Sequence, residues 1–203
     1  MKKIIALLLA LSCVLALSAC GDDGENGNDL EAFTAAVSAA DPTDAVLTTK
    51  VTSTTFDVTL EGEYNITYNR DGTASVTYSY QQLRLIDDSV STTDSIMLPV
   101  EGAATIAADG TVTTIEGDGT VGAQLVAVAG VKLNLSASKM TYSVSAGMLT
   151  ATIKAANTEA VLGTAVSADV NLVLTVANGA VSAITLTYDT TDGQAEIVCL
   201  YNY

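Results

Sequence analysis

Hydrophobic and polar residues alternate strictly over a long stretch of the N-terminal half, from residue 56 to residue 68. The even positions hold apolar residues or glycine, and the odd positions between them are polar. The even positions are Phe56, Val58, Leu60, Gly62, Tyr64, Ile66 and Tyr68. A period of two is the period of an extended strand with one buried face. The pattern therefore predicts one long strand with a dry face and a wet face.

A second strand is predicted after residues 69–72, because the even positions Ala74, Val76, Tyr78 and Tyr80 are again the apolar ones. A loop with an odd number of residues keeps the even positions on one face. We therefore predict the three-residue loop 70–72 with a left-handed glycine. The resulting pairs are Tyr64 with Tyr78, Ile66 with Val76, and Gly62 with Tyr80, which covers the glycine. The apolar phase then moves to Leu83 and Leu85, which indicates a bulge or the end of the sheet contact.

The C-terminal third repeats this pattern in two further groups of strands. A turn at residues 146–147 places six apolar residues on one face, and residues 157–163 follow as a short helix that ends at glycine. These six are Met140, Tyr142, Val144, Leu149, Ala151 and Ile153.

Three final strands form a meander. The apolar positions of residues 170–176 and of residues 184–188 fall on one face if a three-residue loop, 177–179, connects the strands. A two-residue turn would put them on opposite faces unless a bulge intervenes. The last connection, 190–193, places Ala195, Ile197 and Cys199 opposite Tyr188, Leu186 and Ile184.

One amphipathic helix precedes the strands. Asn28 and Glu31 form a capping box, the stripe Leu30, Phe33, Val37 and Ala40 is apolar, and Asp41-Pro42 ends the helix. Such a narrow stripe implies that the helix lies on a sheet. Region 101–135 is harder to interpret: a hairpin about Asp109-Gly110 is expected, and residues 122–129 fit a strand or a short helix. The predicted fold class is mainly β (α+β), a curved antiparallel sheet or half-barrel of about 8–11 strands packed on the N-terminal helix.

The N-terminus has the layout of a secretory signal, with a basic start, the apolar segment Ile4 to Leu15, and a processing site at Leu17 to Cys20. A transmembrane anchor and an ordinary cleaved signal are the competing interpretations. The apolar run to Ala19 is shorter than the roughly 20 residues that a spanning helix needs. The order Leu17-Ser18-Ala19-Cys20 resembles the lipobox of bacterial lipoproteins. The resemblance implies removal of residues 1–19, diacylglyceryl modification of Cys20, and an extracytoplasmic protein anchored in the cell membrane or the outer membrane.

Residues 20–28 are predicted to be the acylated cysteine and a flexible acidic tether, and residues 29–203 a single β-rich domain. The chain contains 8 basic and 23 acidic residues, for a net charge of −15. Removal of Lys2 and Lys3 with the signal makes this charge −17. A polyanion repels nucleic acid and anionic lipid headgroups, so the expected contact with the membrane is the lipid anchor alone, and no nucleic-acid partner is expected.

The sequence offers little chemistry for catalysis. Cys199 is the one cysteine outside the signal and the lipobox, and the chain has no histidine to pair with it. The loop carboxylates Asp87, Asp88 and Asp94 fit a solvated loop, and the acidic residues after Cys20 lack the spacing of a calcium loop. We therefore expect neither an enzyme nor a cofactor or metal.

Two further resemblances concern the domain. Residues 150–203, with the Val-Ala-Asn-Gly-Ala-Val turn and the Ile-Val-Cys-Leu-Tyr strand, are similar to uncharacterised lipoproteins of gut anaerobes. The order of lipidated tail, amphipathic helix and antiparallel meander resembles the LolA/LppX-like superfamily. That second resemblance implies an open curved sheet that wraps a helix and binds acyl chains in its hollow.

Two functions are therefore expected as alternatives: a binder or carrier of a hydrophobic or acyl-chain ligand, and a non-enzymatic structural or interaction module of the cell envelope, with an envelope protein as partner. The interior volume between helix and sheet discriminates between them. The residues predicted to contact a ligand are Phe33, Phe56, Tyr64, Ile66, Tyr78, Leu172, Leu186 and Ile197.

Overall fold

The computed structural model describes residues 26–85, 95–117 and 133–203, which form two short helices and ten strands. The first helix is α1 (Asn26–Ser38), and α2 (Thr158–Leu162) follows a single 3-10 turn at Ala155–Asn157. The strands are β1 (Asp44–Ser53), β2 (Val58–Tyr68), β3 (Ala74–Leu85), β4 (Ser95–Ile106), β5 (Val112–Gly117), β6 (Met140–Ser145), β7 (Met148–Ile153), β8 (Val170–Ala177), β9 (Ala180–Thr190) and β10 (Gly193–Asn202).

All ten strands belong to one antiparallel sheet that is curved and does not close. Its order is β5-β4-β3-β2-β1-β10-β9-β8-β7-β6, so β1 and β10, from opposite ends of the domain, pair at the centre. Their ladder runs from Asp44 opposite Asn202 to Ser53 opposite Gly193. The predicted class, a mainly β fold with a curved antiparallel sheet, is confirmed.

The β2–β3 hairpin has the predicted register. Tyr64 lies opposite Tyr78, Ile66 opposite Val76, and Gly62 opposite Tyr80. The Asn69 N–H donates to the Thr73 carbonyl (2.8 Å) and closes a three-residue loop in which Gly72 has φ +84°. The hairpin about Asp109-Gly110, between β4 and β5, is likewise present.

The predicted bulge near Gln81 is absent, because β3 continues in regular register with β4 as far as Leu85 opposite Ser95. The described pairing of β2 with β3 ends at Gly62 and Tyr80. The change of phase therefore marks the place where sheet contact with β2 ends, the other interpretation offered above.

The C-terminal hairpins follow the predicted phase with one correction. Met140, Tyr142 and Val144 pair with Ile153, Ala151 and Leu149, and the last hairpin pairs Cys199 with Ile184. The β8–β9 loop, however, has two residues, since Ala177 pairs with Ala180, and Asn178 and Gly179 have φ +54° and +80°. A register shift between Thr175 and Val176 keeps the apolar residues of both strands on one face despite the shorter loop. The predicted three-residue loop 177–179 is therefore wrong.

Helix α1 buries the predicted stripe, because Leu30, Phe33 and Val37 are all in the hydrophobic core and Ala40 is half-buried beside them. The helix contacts β6 and β9. It begins at Asn26, so residues 26–28, predicted as the end of the tether, are helical and Asn28 is not the N-cap. A cap contributes only about 1 kcal/mol, and a residue suited to capping does not by itself fix a helix boundary.

Several predictions lie outside the described residues. These are the signal at 1–19, the lipidation of Cys20, the tether up to residue 25, the loop carboxylates Asp87, Asp88 and Asp94, and the segment 122–129.

Candidate functional site

The dry face of the sheet collects seven of the eight residues predicted to contact a ligand. One row across the strands runs Leu172, Leu186 and Ile197, and the adjacent row runs Cys199, Leu47, Tyr64 and Tyr78. Phe33 covers the face from α1, and Ile66 lies one pair beyond Tyr64 on β2. Each of the seven is at most 7% exposed and belongs to one hydrophobic cluster.

Phe56 is the exception among the eight. It lies in the turn 54–57 between β1 and β2, outside the alternating strand, and it is half-buried and outside the core cluster. Its N–H donates to the Ser53 hydroxyl (3.2 Å). Because the polypeptide turns before β2 begins at Val58, the alternation along β2 does not extend to Phe56 and does not place its side chain on the dry face.

Three tyrosines form an aromatic cluster on this face. The ring centroids of Tyr64 and Tyr78 are 6.0 Å apart, and Tyr80 lies 6.4 Å from Tyr64 and 5.9 Å from Tyr78. Burial raises the pKa of Tyr64, opposed by a hydrogen bond with the Thr49 side chain. These distances are those of favourable aromatic pairs, so the cluster packs the sheet and offers a rigid apolar surface.

A cleft of about 220 Å³ opens at one end of the dry face, beside the residues that follow α1. We call it the end cleft. Its apolar wall is formed by Ala40, Pro42, Tyr68, Ala74 and Ile106. Ala74 and Ile106 belong to the core cluster, and Ala40 and Tyr68 pack against it. The wall of the end cleft is thus continuous with the dry face.

Two hairpin loops with the same Asp-Gly-Thr sequence border the end cleft. In each, the threonine N–H donates to the aspartate Oδ1 two residues earlier, Thr73 to Asp71 at 3.0 Å and Thr111 to Asp109 at 2.9 Å. A Cβ at residue 72 would lie 3.2 Å from the Ala108 Cβ, so the loops are in close contact. These local hydrogen bonds fix the border of the cleft.

Tyr68 lines the end cleft, and its hydroxyl is an unusual polar group of the interior. Its oxygen is buried, and within the described residues it has no hydrogen-bond partner. Burial, and then the nearby Cys199 and Tyr203, raise the pKa of Tyr68 far above its ordinary value, so the hydroxyl remains protonated. A buried hydroxyl without a partner costs about 1–3 kcal/mol, which makes this group a donor in need of an acceptor.

A larger groove of about 570 Å³ is lined by residues of β1–β4. Thr48, Lys50, Glu61, Glu63 and Gln81 line it, and Lys50 Nζ is 3.7 Å from Glu61 Oε1 with both side chains largely exposed. None of the eight predicted ligand residues borders this groove.

The described part of the chain contains no group of three or more His, Cys, Asp or Glu side chains placed to hold a metal ion. None of its helices combines the length and apolar character required to cross a membrane.

No protein-family model and no curated protein matches the sequence. Among solved structures, the chain is similar to the crystal structure of LprF from Mycobacterium bovis, with 12% identity and a TM-score of 0.44. The similarity covers 87% of this chain and 93% of LprF. Resemblance at this level transfers neither a fold family nor a function.

The residues of the end cleft were not among the predicted site residues. The alternation places Tyr68 on the dry face, but it contains no sign that the Tyr68 hydroxyl lacks a partner. The one signal available was position: Tyr68 is the last apolar residue before the hairpin, and Asp41-Pro42 ends the helix segment.

Proposed function

We propose that this chain is an extracytoplasmic lipoprotein, anchored to the membrane through Cys20, whose domain binds part of a hydrophobic ligand at the end cleft. The observation that carries the proposal is the apolar wall of the cleft, which continues into the dry face. Ligand sites are typically concave, with apolar walls and a few polar groups, and the end cleft combines its apolar wall with Asp41, Asn69 and Thr73.

The volume limits what the cleft accepts. At about 220 Å³ it is smaller than the roughly 300–1,000 Å³ of a site for a drug-sized molecule. It therefore suits one end of an elongated apolar molecule such as an acyl chain. The remainder of the ligand would lie along the dry face or outside the cleft, and affinity would come from buried methylene groups, each contributing about 0.8 kcal/mol.

Photo-crosslinking tests this proposal in the membrane. The full-length lipoprotein in vesicles is irradiated with an acyl probe that carries a diazirine, and labelled peptides are mapped by mass spectrometry. We expect saturable labelling of residues 40–42, 68–74 and 106–110, competed by unlabelled acyl ligand. Labelling that does not saturate, or that maps elsewhere, would refute the proposal.

Adjacent alanines provide a matched pair of variants. Ala40 is half-buried and lines the end cleft, whereas Ala39 is exposed. Ala40→Glu puts a carboxylate against the apolar wall and should weaken saturable labelling about tenfold or more, since 1.4 kcal/mol of binding free energy is a factor of ten. Ala39→Glu adds the same charge outside the cleft and should leave labelling unchanged.

The anchor has its own test. The apolar segment and the Leu17-Ser18-Ala19-Cys20 order motivate the expectation that the membrane-bound protein begins at a diacylglyceryl-modified Cys20. Intact-mass measurement of the membrane fraction should show that adduct and no residues 1–19. An unmodified Cys20, or a retained signal, would contradict the expectation.

A structural or interaction module of the envelope is the second candidate. It is supported by the close packing of the seven predicted ligand residues on the dry face, each at most 7% exposed. If labelling at the end cleft does not saturate, this candidate becomes the better one.

A further inference from the structure

We propose that the place where β2 and β3 separate is a docking site for an extended, basic segment of a partner polypeptide, which adds to the edge of β2 as a further strand. We call this place the strand split. It borders the groove of about 570 Å³, which shares no lining residue with the end cleft among the described residues. The inference goes beyond the proposed function and does not depend on ligand binding at the end cleft.

The pairing between β2 and β3 stops before either strand ends. The last described pair is Gly62 with Tyr80, although β2 also includes residues 58–61 and β3 continues over residues 81–85. Over these lengths β2 still pairs with β1, and β3 still pairs with β4. In the described part of the chain, each of the two segments therefore has a strand partner on one side only.

The direction of the backbone groups at the strand split follows from the hairpin. The Asn69 N–H donates to the Thr73 carbonyl (2.8 Å), so these two residues form a hydrogen-bonded pair. In an antiparallel ladder such pairs recur at every second residue. Counting back along β2 puts Thr59 and Glu61 at positions whose N–H and C=O groups point toward β3.

Gln81 shows that the edge of β2 binds an acceptor here. The Glu61 N–H donates to Oε1 of the Gln81 side chain at 3.2 Å, where a regular ladder would supply the backbone carbonyl of Gln81. Pro99 lies opposite Gln81 on β4 and has no N–H, which agrees with a Gln81 backbone that points toward β2. Gln81 is exposed, so a partner strand can displace its side chain and supply the carbonyl instead.

The charges around the strand split select a basic segment. Glu61 and Glu63 stand at alternate positions of β2, and both line the groove. Lys50 is the one basic residue of the described lining, 3.7 Å from Glu61 with both side chains largely exposed, so the lining carries one negative charge in excess. The whole chain has a net charge of −15. Lysine or arginine at alternate positions of a docked strand would face these carboxylates while its backbone pairs with β2.

The test measures the binding of fluorescent peptides to the full-length lipoprotein in nanodiscs at physiological salt. The probe is an acetylated and amidated heptapeptide of alternating threonine and lysine, and a second peptide has glutamate in place of lysine. Two further peptides carry N-methyl groups on every threonine or on every lysine of the probe, which removes backbone donors and keeps the charge.

We expect saturable binding of the lysine peptide, and binding about tenfold weaker or less for at least one of the methylated peptides, because the loss of backbone hydrogen bonds is what separates them. The glutamate peptide should bind more weakly than the lysine peptide. Equal binding of the lysine peptide and both methylated peptides, a preference for glutamate, or no saturable binding of the lysine peptide would overturn the inference.

Two variants of Thr59 locate the site on β2. Thr59→Pro removes a backbone N–H that points toward β3, so no backbone hydrogen bond with β1 is lost. Thr59→Ala removes the same hydroxyl, which is 3.4 Å from the Thr52 hydroxyl, but keeps the N–H. Thr59→Pro should weaken binding about tenfold and Thr59→Ala should bind like the wild type, with unchanged circular dichroism in both.

Equal peptide binding by the two folded variants refutes the site. The methylated peptides use the wild-type protein, so they decide the question if Thr59→Pro does not fold. Photo-crosslinking at the end cleft should be the same in Thr59→Ala and in the wild type. Failure of peptide binding alone therefore refutes this inference, and failure of saturable crosslinking alone refutes the proposed function.

Discussion

Gly62 shows how one residue shapes the aromatic part of the dry face. A Cβ at this position would lie 2.7 Å from Thr49 Oγ1 and 2.9 Å from the Tyr80 Cβ, closer than real Cβ contacts. The alternation predicted that Tyr80 covers the glycine, and the structure confirms it. The contact with Thr49 was not predictable, because β1 mixes apolar residues on both faces: Val46 faces opposite to Leu47.

Cys199 is the clearest case of a residue whose role is packing. It is fully buried opposite Leu47 and Ile184, and burial raises the pKa of its thiol to about 12. A protonated thiol is a poor nucleophile. We expect the Cys199 peptide of the native protein to resist a polar thiol reagent at pH 8 and to react fully after unfolding, as measured by mass spectrometry. Rapid labelling in the native state would contradict this burial.

The same pKa shift predicts an alkaline effect on stability. The thiol of the unfolded chain ionises near its ordinary value of 9, whereas the folded protein holds the proton up to about 12. The stabilisation is therefore complete below pH 9 and is lost as the pH rises from 9 to 12. Cys199→Ala, which should cost about 1 kcal/mol at neutral pH, should show a shallower alkaline decline in urea denaturation.

At the scale of single elements, alternation of apolar positions predicted the register of three hairpins, β2–β3, β6–β7 and β9–β10, because a slip of one residue would turn every side chain to the other face. The pairs Tyr64 with Tyr78 and Cys199 with Ile184 follow directly from it. Parity failed at the β8–β9 loop, where a bulge between Thr175 and Val176 offsets a two-residue Asn-Gly turn. Alternation alone does not distinguish a three-residue loop from a two-residue turn with a bulge. The preference of Asn-Gly for tight hairpins favours the two-residue turn that is observed.

Asp192 joins two hairpins that are far apart in the sequence. Its carboxylate accepts hydrogen bonds from the Ser53 and Thr55 hydroxyls and from the Thr55 N–H (2.9 Å), and its carbonyl accepts from the Thr54 N–H (2.7 Å). A Cβ at the next residue, Gly193, would fall 1.9 Å from the Thr52 carbonyl oxygen, so glycine is required for this contact.

Asp192→Asn should therefore destabilise the fold at neutral pH. The hydrogen bonds from Ser53 and then Thr55 lower the pKa of Asp192 to about 2 from an ordinary value of 3.8. A lowered folded pKa gives stability that is present above pH 4 and lost as the pH falls toward 2. Wild-type unfolding should become easier over this range, and the Asp192→Asn variant should lose less stability there, as followed by denaturation at several pH values.

Asp71→Asn is the matched control for this effect. Asp71 accepts hydrogen bonds from the Thr73 N–H and hydroxyl, and these contacts lower its pKa too, but they lie within one loop. We expect a smaller change than for Asp192, because a local loop contact ties fewer parts of the fold together. An equal effect of the two variants would show that the connection between hairpins contributes nothing.

At the scale of the whole molecule, the pairing of β1 with β10 makes one sheet from two meanders. The sequence predicted hairpins in both halves and the three-strand C-terminal meander but not this pairing, since no turn connects strands about 150 residues apart and β1 itself was not predicted. The candidate site has the same origin. Its residues at 40–42, 68–74 and 106–110 come together only through the order of the strands and the packing of two loops.

The central pairing also predicts that the domain unfolds as one unit. Phe33 packs on the C-terminal half through α1, which contacts β6 and β9, while amide hydrogen exchange in β2 and β3 reports on the N-terminal half. Phe33→Ala should lower the free energy of unfolding by about 3–5 kcal/mol, the range for a buried Phe-to-Ala change. The loss should appear equally in the amide exchange of β2 and β3 and in that of β8 and β9, because β1 and β10 link the halves.

Glu31→Ala, on the exposed side of α1, serves as the control for Phe33→Ala and should change stability by no more than about 0.5 kcal/mol. Phe33 is 4% exposed and belongs to the core cluster that continues to Tyr64 and Tyr78, so its cavity should weaken packing on both sides of the central pair. Loss of exchange protection in β8 and β9 of Phe33→Ala, with β2 and β3 exchanging as in the wild type, would show that the halves are independent. A stable Phe33→Ala protein with wild-type denaturation would instead mean that α1 is not part of the core.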